Sequence, residues 1–170
     1  MTSSRSASLR LGWFALALPW LAGCVADPNE TVGWAALDRA GFACEVEPVL
    51  ETHCSMPACH GAASRRMPVL APGRMRLAGE LAAAIAAQPA SEREAGTHPR
   101  LTEVEIDANF AAARAMVLPE AGEASPLLDK PLSVAAGGGY HAPDGDVFAA
   151  REDAGYAALL RWVRGEAVCP

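Results

Sequence analysis

Cys54, Cys59 and His60 are the residues whose types and spacing point most directly to chemistry in this 170-residue chain. Two neighbouring thiols can add across the two vinyl groups of a porphyrin, and a histidine directly after the second thiol then sits under the iron as its proximal ligand. The usual spacing is C-x-x-C-H. Here Ser55, Met56, Pro57 and Ala58 separate the thiols, so the loop must bulge while the Cys59–His60 step keeps its geometry. Two other readings use the same residues: a Cys54–Cys59 disulfide closing a tight loop with His60 at the surface, or a metal site. If the thiols carry haem, one motif implies one covalently bound group.

The amino terminus bears on where such chemistry would take place. Arg5 and Arg10 precede an uncharged apolar run from Leu11 to Leu21 that includes Pro19, which is the pattern of an export signal over residues 1–23. The run is shorter than the ~20 apolar residues a membrane-spanning helix needs. Its end, Leu21-Ala22-Gly23-Cys24, resembles the lipobox of bacterial lipoproteins, which implies that Cys24 is lipidated and anchors the chain to a membrane through its amino terminus. The alternative is ordinary cleavage that leaves Cys24 as a thiol. Val25, where an inner-membrane retention signal would often show Asp, points to the outer membrane, with the domain facing the periplasm.

Setting Cys24 aside leaves Cys44, Cys54, Cys59 and Cys169, an even set suited to an oxidising compartment. If Cys54 and Cys59 hold haem, Cys44 and Cys169 remain as a candidate disulfide between the start and end of the domain; the alternative is two free thiols. Without Arg5 and Arg10, 12 of the 14 basic side chains remain against 20 acidic ones, a net charge of −8. That balance argues against nucleic acid as a partner and leaves room for docking to a protein with a basic patch.

Residues 24–41 read as a lipidated tether and residues 42–170 as one domain, since the mature length supplies one core. Val46, Val49, Leu50 and His53 fall on one helical face, and Pro48 suits a first turn, so a short helix is predicted to run into Cys54. Met67 to Leu77, with Pro72-Gly73 inside it, is consistent with a small β-hairpin. Glu80 to Gln88 reads as a helix and Pro89 to Arg100 as a loop. Thr102 with Glu105 forms a capping-box pattern, and Ile106, Phe110, Ala113 and Val117 mark the apolar face of the helix that follows. Pro119 to Asp146 reads as mostly irregular, with Gly137-Gly138-Gly139 inside it. A last helix over Glu152 to Arg164 turns Tyr156, Leu159, Leu160 and Val163 inward and stops at Gly165. The fold class expected is therefore mainly α with long loops.

In this order the elements resemble a small monohaem cytochrome c. The nearest likeness is to a group of bacterial exported cytochrome-like proteins that read P-[IV]-[LF]-x3-C-x-x-C-H-G near the start. Those proteins often end with S-P-L-L-x-K-P-L, a His- and Gly-rich loop, and Y-x-x-L-x-x-W-[IV]. This chain has Pro48-Val49-Leu50, then Cys59-His60-Gly61, Ser125 to Leu132, Gly137-Gly138-Gly139-Tyr140-His141, and Tyr156 to Val163. The resemblance covers about Phe42 to Gly61 and Ser125 to Pro170. It implies a cytochrome c-like helical domain around one covalent haem c, with the first helix packed on the last.

The resemblance also places the distal iron ligand in the loop before the last helix, which makes His141 the first candidate, ahead of Met67 and Met75. Met116 reads as core, His98 as exposed in a polar loop, and His53 as structural or exposed. The function expected is a membrane-anchored, periplasm-facing carrier that passes single electrons between redox partner proteins rather than a substrate-transforming enzyme. The competing expectation is a lipoprotein binding or interaction module stapled by disulfides and lacking a cofactor. No Ser-His-Asp set, catalytic carboxylate pair or zinc-protease helix pattern is present in the sequence.

Overall fold

The computed structural model describes residues 37–141, 145–167 and 169. The expected export signal over residues 1–23, the expected lipidation at Cys24 and the expected tether up to residue 36 lie outside the described residues. Among the described residues, no helix is long and apolar enough to cross a membrane.

The first helix, α1, is one continuous rod over residues 39–53, built from Arg39–Gly41, a π-helical turn Phe42–Val46, and Glu47–His53. It therefore starts earlier than the sequence suggests, and residues 37–41, read there as tether, belong to the fold. Leu37 is buried, and the Trp162 Nε1–H donates to the Asp38 carbonyl at 2.8 Å. Pro48 explains both the expectation and the outcome. A proline inside a helix lacks an N–H and clashes with the carbonyl four residues back, here that of Cys44. The π turn just before it shifts the ladder, so that the Glu47 N–H reaches the Phe42 carbonyl. The wider turn also keeps Phe42, Val46 and Leu50, spaced by four, on one buried face.

The remaining helices are α2 (Glu80–Ala87), α3 (Ala90–Glu94), α4 (Glu103–Arg114), the single turn α5 (Pro126–Asp129) and α6 (Ala154–Val163). The Pro89 to Arg100 loop thus carries a helical turn, launched after Pro89 and held by Arg93 donating to the Gln88 carbonyl at 2.6 Å. Helix α6 starts at its Asp153 cap, which accepts from the Gly155 N–H, and ends before Gly165 with its φ of 72°. Phe42 of α1, Phe110 of α4 and Trp162 of α6 meet edge to face, with ring centres 5.5 to 6.0 Å apart. This aromatic cluster locks the first helix to the last. The Cys44–Cys169 disulfide ties the same two regions together, with Cα atoms 5.7 Å apart.

The capping box at α4 forms in both directions: Thr102 Oγ1 accepts from the Glu105 N–H, and the Glu105 carboxylate accepts from the Thr102 N–H. Thr102 Oγ1 also donates to Glu80 at the head of α2, at 2.7 Å. Thr102→Ala is expected to lower stability by about 1–2 kcal/mol, read as a lower urea midpoint; an unchanged midpoint would remove the cap from the account.

The expected hairpin at Met67 to Leu77 does not form. Gly73, at φ 69°, turns the chain, and the Ala71 N–H donates to the Met75 carbonyl at 3.0 Å, but no strand ladder follows. The reason lies in α4. Glu105, buried, draws the Arg76 guanidinium inward and accepts the Leu77 N–H at 3.0 Å, so the groups a strand would pair are spent on a carboxylate. Arg76 donates also to the Pro99 and Arg100 carbonyls at 2.9 and 3.0 Å. The guanidinium holds the Glu105 carboxyl below its usual range despite burial. Residues 67–77 are therefore a strap laid across α4. The sole bridge among the described residues is the isolated pairing of Leu132 with Phe148.

Candidate functional site

Helix α1 ends at His53 and passes directly into the loop 54–61. Ser55 is fully buried; its hydroxyl donates to the Glu51 carbonyl and is met by Arg74, which also donates to that carbonyl at 2.9 Å. The four residues between the thiols, two more than usual, fold as a bulge. The His60 N–H donates to the Cys54 carbonyl at 3.0 Å, while the Cys59 and Gly61 N–H groups both donate to the Met56 carbonyl, at 2.8 and 2.9 Å. Arg65 braces the bulge by donating to the Ala58 carbonyl. Gly61 is required by close approach, since a Cβ there would lie 2.1 Å from the Ser55 carbonyl oxygen.

The strap sets the orientation of His60. Its Nδ1 is 2.9 Å from the Met67 carbonyl oxygen, and because a carbonyl can only accept, Nδ1 carries the proton and Nε2 keeps its lone pair. Burial, outweighing the Met67 bond, together with His141 and Arg65 nearby, pushes the imidazolium pKa down, so the ring is held neutral. A neutral imidazole tied through one nitrogen to a backbone carbonyl is how metal-ligating histidines are positioned. Cys54 is buried, and burial with Cys59 beside it raises its pKa to about 12, so it is a protonated thiol. Cys54 and Cys59 are not joined to one another.

His141 follows the glycine run in the loop that leaves the Leu132–Phe148 bridge at Leu132. The glycine run lets this loop lie flush on its neighbours: a Cβ at Gly138 would meet the Leu132 carbonyl oxygen at 2.1 Å, and one at Gly139 would meet Asp129 Oδ2 at 2.1 Å. The Gly139 N–H donates to the Asp129 carbonyl at 2.8 Å, and Lys130 Nζ donates to the Tyr140 carbonyl at 3.2 Å. The His60 and His141 rings end 6.0 Å apart, centre to centre, with planes 19° from parallel.

Cys54, Cys59, His60 and His141 all line one cleft of about 650 Å³, within the ~300–1,000 Å³ typical of small-molecule and cofactor sites. Neither Met67 nor Met75 lines it. Met67 is packed in the core and contributes its carbonyl instead of its sulfur, while Met75 is half-buried on the strap. His53 is exposed at the cleft wall and touches Phe148 edge to face at 5.5 Å; His98 is exposed and packs on Gly73. Met116 packs against the core. Arg65, Arg66, Asp146 and Val147 also line the cleft and carry no motif signal, although an arginine doublet five residues after His60 could have marked the mouth. Sequence reasoning likewise had no access to the Met67 carbonyl, since a backbone group leaves no mark on residue type.

A haem can be tested against this arrangement. The two thiols and the two imidazoles, whose rings lie with centres 6.0 Å apart, are the donor set that a covalent haem would require, and all four line the same cleft. The residues fit the group. Among the described residues no group of three or more His, Cys, Asp or Glu side chains is placed to hold a metal ion by itself. Comparison with protein-family models, characterised proteins and solved structures returns no match to this chain.

Proposed function

We propose that this chain is a c-type cytochrome domain, a periplasm-facing carrier of single electrons tethered to a membrane through Cys24. The observation that carries the proposal is the convergence of Cys54, Cys59, His60 and His141 on one cleft, with His60 Nδ1 committed to the Met67 carbonyl. Cys54 and Cys59 would hold the group by adding across its two vinyl groups, each addition forming a sulfur–carbon bond as the S–H and π bonds break, with the hydrogen passing to the other vinyl carbon and no net oxidation. His60 and His141 would supply imidazole ligands to the iron, and Arg65 and Arg66, which also line the cleft, would offer guanidinium groups to the carboxylates of a porphyrin edge.

The bound group supplies a one-electron couple, and two imidazole ligands set it lower than a Met/His pair would. The protein's part is to hold both rings on a scaffold that does not move with oxidation state. That scaffold is α1, locked to α6 by Phe42, Trp162 and the Cys44–Cys169 bridge. The bridge is common to the electron-carrier reading and to a disulfide-stapled binding module, so it does not separate them; two imidazoles facing each other across a cleft have no role in the second. A visible spectrum of protein from its native cell separates the two. Sharp absorption bands that intensify on chemical reduction are expected, and a colourless preparation would overturn the proposal.

A further inference from the structure

Behind the cleft, the strap that orients His60 is held by one buried side chain. Asn109 of α4 accepts the Leu70 N–H at 2.8 Å and donates to the Leu70 carbonyl at 2.9 Å. Its second N–H goes to Glu47 Oε1 on α1 at 2.7 Å. Leu70 lies three residues beyond Met67, whose carbonyl takes the His60 Nδ1–H, and the adjacent Val69 N–H donates to the His60 carbonyl at 2.8 Å. A continuous set of hydrogen bonds and one short stretch of backbone thus joins the Glu47 carboxyl to the imidazole.

Glu47 is an unusual residue to find at the inner end of such a chain. It is 5 % exposed, and its Oε2 has no hydrogen-bond partner among the described residues. A neutral carboxyl tolerates this far better than a carboxylate. Burial accordingly raises its pKa to about 7, against the pull of Asn109, with Glu51 raising it further and Arg39 lowering it. Arg39 is itself engaged by Glu103 and Asp107 of α4. On the strap, Arg74 is committed to Ser55 and the Glu51 carbonyl, and Arg76 to Glu105; on α6, Arg161 is paired with Glu45 and Arg164 with Glu123.

We propose that Glu47, acting through Asn109 and the strap, is a positioning residue for the His60 imidazole, and that its carboxyl binds a proton more tightly when the site takes up an electron. The inference rests on the haem reading above. The electron comes from a one-electron donor protein and reduces ferric iron to ferrous. The proton comes from solvent and forms an O–H bond on the Glu47 carboxylate. Delivery of the electron to an acceptor protein reverses both changes, so the proton offsets part of the charge that the electron brings. Ionised Glu47 strengthens its bond to Asn109 and favours the oxidised site; neutral Glu47 favours the reduced one.

The test is the reduction midpoint of full-length, haem-loaded protein from the native cell, titrated from about pH 5 to pH 9. Wild type and the control Glu51→Gln are expected to lose at least about fivefold in the reduction equilibrium constant across that range. Glu47→Gln is expected to be flat. A flat wild type, or an equal slope in Glu47→Gln, overturns the inference and leaves the haem reading intact; absence of haem in the starting material defeats the reading first. Should Glu47→Gln not fold, the carbon-13 shift of the wild-type Glu47 carboxyl decides. A higher titration point in the reduced protein supports the coupling, and identical titration in both oxidation states overturns it.

Discussion

Replacing His60 with alanine is expected to abolish the six-coordinate spectrum of the native protein, with added imidazole restoring it in part. His60 is the one side chain that combines adjacency to a thiol, a proton fixed on Nδ1 and a free Nε2 in the cleft. Loss of a partner around a metal ligand already costs about 10–100-fold, so loss of the ligand itself should exceed that. His141→Ala should leave covalent attachment unchanged and open one face of the iron. The variant should then bind carbon monoxide or cyanide at least ~100-fold more tightly than wild type. Met67→Leu and Met75→Leu should leave the spectrum as it is, because neither sulfur reaches the cleft. A spectrum unchanged by His141→Ala but altered by Met75→Leu would reverse this assignment.

The second large effect concerns Cys44 and Cys169. Their bond closes a loop across 125 residues of sequence, for which chain entropy alone gives a stabilisation near 5 kcal/mol, against about 2–5 kcal/mol typically lost when a native bridge is removed. Replacing both by serine should therefore lower the urea midpoint by a large fraction of total stability. The loss should be felt first where α6 meets α1, since the bridge fastens the chain beyond α6 to the π turn. There Ala167 lies so close that a Cβ on Gly41 would meet it at 2.7 Å. An unchanged midpoint in the double variant would show that the Phe42–Trp162 packing suffices without the bridge.

What could be read in the sequence were the features carried by local chemistry. The α4 start was legible because Thr102 and Glu105 satisfy each other's backbone groups within four residues, and α6 because its apolar positions recur at helical spacing. The grouping of Cys54, Cys59 and His60 in one loop was legible because these residues are close in sequence. Where the structure departs from the reading, a distant partner decides. Pro48 looks like a helix start, yet a π turn before it carries the helix back to Arg39, where Trp162 and Cys169 reward the extension. The alternation from Arg74 to Leu77 looks like a strand, yet Glu105, 28 residues from Leu77, claims the Arg76 side chain and the Leu77 N–H.

The candidate site divides in the same way. Cys54, Cys59 and His60 stand out by type, whereas His141 was reached only through a family likeness. The structure supplies for it what sequence could not: a glycine run pressed on Leu132 and Asp129 that brings the ring to face His60. The Glu47–Asn109 bridge left no trace in the sequence, because a glutamate and an asparagine 62 residues apart are ordinary until both are buried.

The central claim is that Cys54 and Cys59 are bonded to one porphyrin, and intact mass of denatured protein from the native cell measures this most directly. The expected mass is that of the mature chain with its lipid plus one haem, retained after unfolding because the linkage is covalent. A mass equal to chain and lipid alone, or two units lower through a Cys54–Cys59 disulfide, would contradict it.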